Sequence, residues 1–150
     1  MKHYMQTVIA IFLTATAFAV LAGDESTSQV IKRKAPRGIR ESFYLCVDKA
    51  SGSVIDEAAC LASEKSFQNY RLNKDYKKLL GVLNGDTRGA LIASEKAWLD
   101  SRSKDGVLES HLYGGGSQAA NLQLEQNDMF RLCARANVLE SYQDVADLTN

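Results

Sequence analysis

What this 150-residue chain lacks narrows its identity quickly. It has one proline and 10 glycines, and nowhere a run of alternating β-branched residues, so a sheet-based fold has no support. It has two histidines and three cysteines, and His111 is the single histidine left once the leader described below is set aside. No cysteine or histidine stands near His111 at metal-ligand spacing, which argues against zinc or haem; neither metal nor cofactor is expected. "GGGS" at 114–117 precedes a helical stretch, but it lacks the Gly-Lys-Ser/Thr ending and the preceding strand of a phosphate loop. Excess charge of one sign is also missing, with Lys+Arg and Asp+Glu at 18 each, so no general affinity for nucleic acid is expected. Carboxylates are plentiful, yet no spacing singles out an acid–base pair. Cys133 and His111 could in principle form a nucleophilic pair, but Cys133 falls on an apolar helical stripe, where a buried inert thiol is the expectation. These residues point away from an enzyme.

What is present starts with a leader. "MKHYMQTVIAIFLTATAFAVLAG" has a short basic start, an apolar run from Val8 to Leu21 and small residues before Gly23. This pattern predicts a signal peptide over 1–22 cleaved after Ala22, hence a periplasmic or secreted protein. The run is short for a bilayer span. Without Lys2 the 18 basic side chains become 17 against 18 acidic ones, a net charge of −1. Residues 23–38 read as a flexible basic arm. Lys32, Arg33, Lys34, Arg37 and Arg40 have no acid among them; such a stretch is either a solvated linker or a contact for anionic envelope polymer or lipid.

From residue 39 to 150 the pattern is helical and predicts one domain. A short helix is expected over Ile39–Lys49, broken by "SGS" at 51–53. A long one follows from Val54 to Leu83, with Leu72, Tyr76, Leu79 and Leu83 as its apolar stripe and Tyr70 and Leu80 alongside. "NGD" at 84–86 is a turn with Asp86 placed to cap the next helix, which carries "EKAWLDSRSKD". "YGGGSQ", 113–118, is a second break. A last helix runs to about Leu148 with Met129, Leu132, Cys133, Ala136, Leu139 and Tyr142 on one side. Three long helices and one short one make an all-α antiparallel bundle. Cys46 and Cys60 flank the "SGS" break. A disulfide there would staple the short helix to the long one, worth roughly 3 kcal/mol in the chain-entropy model, and would leave Cys133 as a free thiol.

The lone tryptophan sits on a charged face. Glu95, Trp98, Arg102 and Asp105 are three, four and three apart, hence on one side of a helix. Either Trp98 packs into the bundle while Glu95 and Arg102 satisfy each other or backbone groups, or an exposed Trp/Arg pair forms a binding surface. Trp98 lies beside Leu91 and Ile92, which favours packing.

Taken in order, "CVDKASGSVIDEAACLASEKSFQNYRLNKDYKKLLGVL", "EKAWLDSR", "YGGGSQ" and "FRLC" resemble the LprI-type lysozyme inhibitor domain of exported bacterial proteins. The resemblance spans roughly residues 43–142. Cys46 and Cys60 match its two early cysteines, and Leu72, Asn73, Tyr76, Leu79 and Leu80 its Leu-Asn, tyrosine and leucine pattern. Trp98 and Arg102 match its Trp/Arg motif, with Glu95 where the family has glutamine. Gly114–Ser117 and Cys133 match its glycine-rich turn and late cysteine. Asp105 stands about where the family has a third cysteine that pairs with the late one, so Cys133 is expected to lose its partner. Val138 and Ser141 stand where a threonine and an arginine are usual.

The resemblance implies a helical periplasmic protein that blocks a lysozyme or bacterial muramidase. A muramidase cleft presents a carboxylic acid and a carboxylate to the sugar. The loop from Tyr113 to Gln118 is the expected plug: Gly114, Gly115 and Gly116 allow close backbone approach, and His111 and Ser117 offer hydrogen bonds. The same loop could be a plain connector. The competing expectation is an envelope adaptor that makes a peripheral contact with cell-wall polymer or membrane through the basic arm.

Overall fold

The structure is a computed structural model that describes residues 25–113 and 116–149, with side chains through Asp147. The expected signal peptide, Gly114 and Gly115 lie outside the described residues. Five helices follow one another: α1 Thr27–Lys34, α2 Glu41–Ala50, α3 Val54–Val82, α4 Gly85–Leu112 and α5 Gln118–Thr149. Local chemistry sets their ends. Ser53 caps α3 by accepting from Asp56 N–H, with Asp56 and Glu57 in the first turn, where carboxylates complement the helix dipole. Ser51 (φ 49°) and Gly52 (φ 81°) take left-handed conformations between α2 and α3. The expected disulfide joins Cys46 and Cys60 across that break, with Cα atoms 5.8 Å apart. Asp86, expected as a cap, sits instead inside the first turn of α4; Asn84 occupies the cap position, without a side-chain bond.

α1 is a correction to the flexible arm. Ser26 and Gln29 form a reciprocal capping box at its start, which satisfies two otherwise orphaned donors. Ser28 is buried, its N–H and Oγ donating to Asp48 on α2 at 3.2 and 2.7 Å. Ile31 and Ala35 pack against the Phe43, Tyr44 and Val47 cluster.

The three long helices run up, down and up. α3 and α5 are parallel and closely packed: Lys65 meets Asp128, Arg71 meets Asn137, and Lys78 meets Asp147, both numbers rising together. Their seam holds Leu72, Leu79, Leu132, Ala136 and Leu139, most of the stripes expected for these helices. Tyr70 and Tyr142 are exposed and fall outside it. α4 returns antiparallel along one flank. Of its 28 residues only Leu91 and Glu95 are buried.

The segment between α1 and α2 is tied into the main body by polar bonds. Glu64, fully buried on α3, accepts from Arg40 N–H (3.1 Å), Arg40 Nε (2.7 Å) and Gln68 Nε2 (2.6 Å). Gln68 also donates to Gly38 O at 2.8 Å, and Asn137 to Arg37 O at 2.6 Å. These bonds offset the cost of burying the carboxylate, and removing one of the partners would be strongly destabilising. Gly38 has φ +98°, and a Cβ there would stand 2.8 Å from an Arg71 nitrogen and 3.1 Å from Asn137 Oδ1. The position accepts glycine and little else.

Candidate functional site

The charged face around Trp98 turns toward α5. Glu95 and Arg102, expected to satisfy each other or backbone groups, are instead each partnered across the helix–helix seam. Arg135 Nε donates to Glu95 Oε2 at 2.9 Å, and its NH2 to Ser94 Oγ at 3.1 Å. Arg102 makes a bidentate bond to Asp128, 2.6 and 2.7 Å. Both guanidinium groups stand over the indole, Arg102 at 5.6 Å and Arg135 at 5.8 Å from its centroid. Such stacking adds cation–π attraction to the ion pairs. Trp98 itself is half-buried against the Leu72–Leu139 core. Helical spacing identifies a face but not the element opposite it, so two side chains on one face can both turn to a neighbour.

Two turns further along α4, Glu109 pairs with Arg131, which also reaches Asp105 at 3.8 Å. The α4 residues Glu95, Arg102 and Glu109 are therefore heptad-spaced with alternating sign. They meet Arg135, Asp128 and Arg131, three and four apart on one face of α5. Sequence reasoning missed these three partners, although their spacing on one face of the last helix was a readable signal. Lys65 on α3 also bonds Asp128 and Glu125, at 2.8 and 2.6 Å, adding α3 to the clasp. Burial acts to raise the Asp128 pKa, but the bonds and charges of Arg102 and Lys65 outweigh it and lower the value from 3.8 to about 2. Asp128 is thus a fixed anion at neutral pH rather than a proton donor.

Cys133 is buried and free, as expected, and its thiol is turned away from α4. Its Sγ lies 3.2 Å from Arg37 O and 3.9 Å from an Arg71 nitrogen. Cys133 stands two positions beyond Arg131, about 200° round the helix, so one side chain faces α4 and the other faces away from it. Burial pushes the thiol pKa up against the opposing pull of Arg71, which keeps it protonated and unreactive.

Beyond the last ion pair the hairpin ends in an exposed tip. His111 is exposed, as are Leu112 (71 %) and Tyr113 (45 %). The Tyr113 hydroxyl accepts from Asn127 Nδ2 at 3.4 Å. Gly116 has φ +115°, and Ser117 Oγ accepts from Ala120 N–H at 3.0 Å, capping α5. Ser117 is thus already engaged in holding its own helix. Of the remaining motif residues, Leu72 is in the core, Tyr76 packs on it, and exposed Asn73 donates to Asn69 O at 2.7 Å.

Among the described residues no group of His, Cys, Asp and Glu could hold a metal ion, and no helix is long and apolar enough to cross a membrane. In the basic segment, Lys32 pairs with Glu41, Arg33 with Glu25 and Arg40 with Glu64. Three of its five cations are thus neutralised within the chain.

An all-helical scaffold stapled by one disulfide, with a hairpin clasped by ion pairs around a stacked tryptophan, is the class these observations define. The family described as "Lysozyme inhibitor LprI" matches residues 46–145, and the chain belongs to that family. No match is found among curated proteins or among solved structures.

Proposed function

We propose that the chain is an exported, protective inhibitor of a lysozyme-type muramidase and that the α4–α5 tip, from His111 to Ser117, enters the enzyme's cleft. The observation that carries this reading is the pair Leu112 and Tyr113, apolar and exposed at the end of a hairpin otherwise closed by ion pairs. An exposed aromatic backed by rigid helices can act as an anchor at low entropic cost. The adjoining glycines let backbone donors approach the catalytic carboxyl groups. The clasp at Trp98 then serves the tip indirectly, by fixing the angle between the two helices that carry it.

The experiment is a turnover assay with several muramidases, read beside complex formation on a sizing column. Leu112→Ala and Tyr113→Ala together should weaken inhibition tenfold or more, the ordinary effect of losing a central anchor of about 1.4 kcal/mol or greater. Circular dichroism should be unchanged. Full potency in that double variant would move the contact surface off the tip, whereas no inhibition by the parent chain would remove the inhibitor reading altogether.

A further inference from the structure

We infer that the outer face of α4 is a self-complementary interface that pairs two copies of this chain antiparallel. This goes beyond the inhibitor reading and does not depend on it. The face lies beside the ion-pair clasp, and it is unused within the chain. Ile92 and Leu99 are 47 % and 50 % exposed there, one heptad apart, with Gly106 a further heptad on. A Cβ added at Gly89 or Gly106 would meet nothing within 4 Å. Neither glycine is therefore explained by packing inside the chain, although both weaken the helix.

The order of sizes along the seam identifies the occupant. When α4 is laid antiparallel on a copy of itself, with the two-fold axis near Ser101, each layer joins one large residue to one small one. Leu99 faces Ser103, Lys96 faces Gly106, and Ile92 faces Ser110. Isologous contact requires this kind of self-complementarity, in which a patch accepts its own reverse. Large-against-small layers allow knobs-into-holes packing at close range. Two further observations agree. A hollow of about 280 Å³, lined by Leu99, Arg102, Ser103, Gly106 and Asp128, lies at that centre, where the opposing Leu99 and Lys96 project. The exposed pair Asp100 and Lys104, 2.7 Å apart on α4, flanks the seam at the level of the axis, from where the long lysine side chain can reach the aspartate of the second copy. Because the pairing is antiparallel, the two hairpin tips point to opposite ends.

Sedimentation equilibrium of the full exported chain, from micromolar to millimolar loading, should show a reversible dimer. Leu99→Glu should raise its dissociation constant roughly tenfold or more, the effect of a buried charge in a central layer. Gly106→Leu should do the same by filling the hollow; it projects into open space, so the monomer stays folded. Carbodiimide treatment of mixed isotope-labelled and unlabelled chains should yield an interchain Asp100–Lys104 cross-link. A monomer across the whole range overturns the inference, and so does a dimer that neither substitution weakens.

Discussion

Replacing Glu95 by alanine tests whether charge, rather than apolar burial, holds α4 in place. Glu95 and Arg135 are both buried, with the carboxylate 2.9 Å from Arg135 Nε. Truncation leaves the guanidinium in the seam with only Ser94 Oγ and the Trp98 ring as company. An uncompensated buried charge of this kind costs about 3–5 kcal/mol. For a domain of this size that corresponds to a fall in Tm of roughly 10 °C or more. Glu95→Leu combined with Arg135→Met removes both charges and keeps the volume, so it should cost far less, about 1 kcal/mol or under. Urea unfolding followed by far-ultraviolet circular dichroism measures the global effect. Trp98, the single tryptophan, lies between the two arginines, and its fluorescence reports the clasp itself. In Glu95→Ala the fluorescence change should begin at lower urea than the loss of helix, because α4 loosens before α3 and α5 part. A loss below about 1 kcal/mol in Glu95→Ala, or a double variant as unstable as the single one, would refute the reasoning.

Acid should loosen the same clasp two turns along. The Asp128 pKa is depressed in the fold to about 2, so its contribution is present above the unfolded value near 3.8 and is lost as pH falls through about 2. The difference amounts to about 2 kcal/mol for a group whose side chain is 21 % exposed. Thermal melts between pH 5 and pH 2 should show this slope, and Asp128→Asn should flatten it; an unchanged slope would place the acid sensitivity elsewhere. Gly38→Ala should destabilise by about 1–3 kcal/mol, since the side chain meets Arg71 and the backbone is left-handed there. A neutral result in the same melts would show that the segment yields at little cost.

The long helices were legible in the sequence because apolar residues at helical spacing report burial directly. Leu72 and Leu79, and Leu132, Ala136 and Leu139, face one another as their periodicity implies. Tyr70 was misplaced because an aromatic beside a stripe reads like part of it, and only packing separates the two. α1 was hidden for a different reason. Its attachment is polar, through Ser28 and Asp48, and leaves little hydrophobic pattern; the Ser26–Gln29 capping box was the readable sign. At the Trp98 motif the face was legible but the partners were not, since charge pairs across helices depend on crossing geometry and register. Cys133 shows the same limit, because a family pairing pattern says nothing about which way a helix is turned. The tip residues were legible as a break in the helices, with Ser117 revealed as a cap only in the fold.

The buried Glu64 carries a lesson about where this protein begins. Family similarity starts at residue 46, yet the groups that neutralise Glu64 from outside α3 come from Arg40, and Gln68 donates to Gly38 as well. The stretch before the first cysteine is thus the missing half of an ion pair whose other half lies inside the matched region. A chain trimmed to the matched boundary would keep the family motifs while stranding a carboxylate in its interior. The matched region and the set of residues that neutralises its buried carboxylate therefore have different boundaries in this chain.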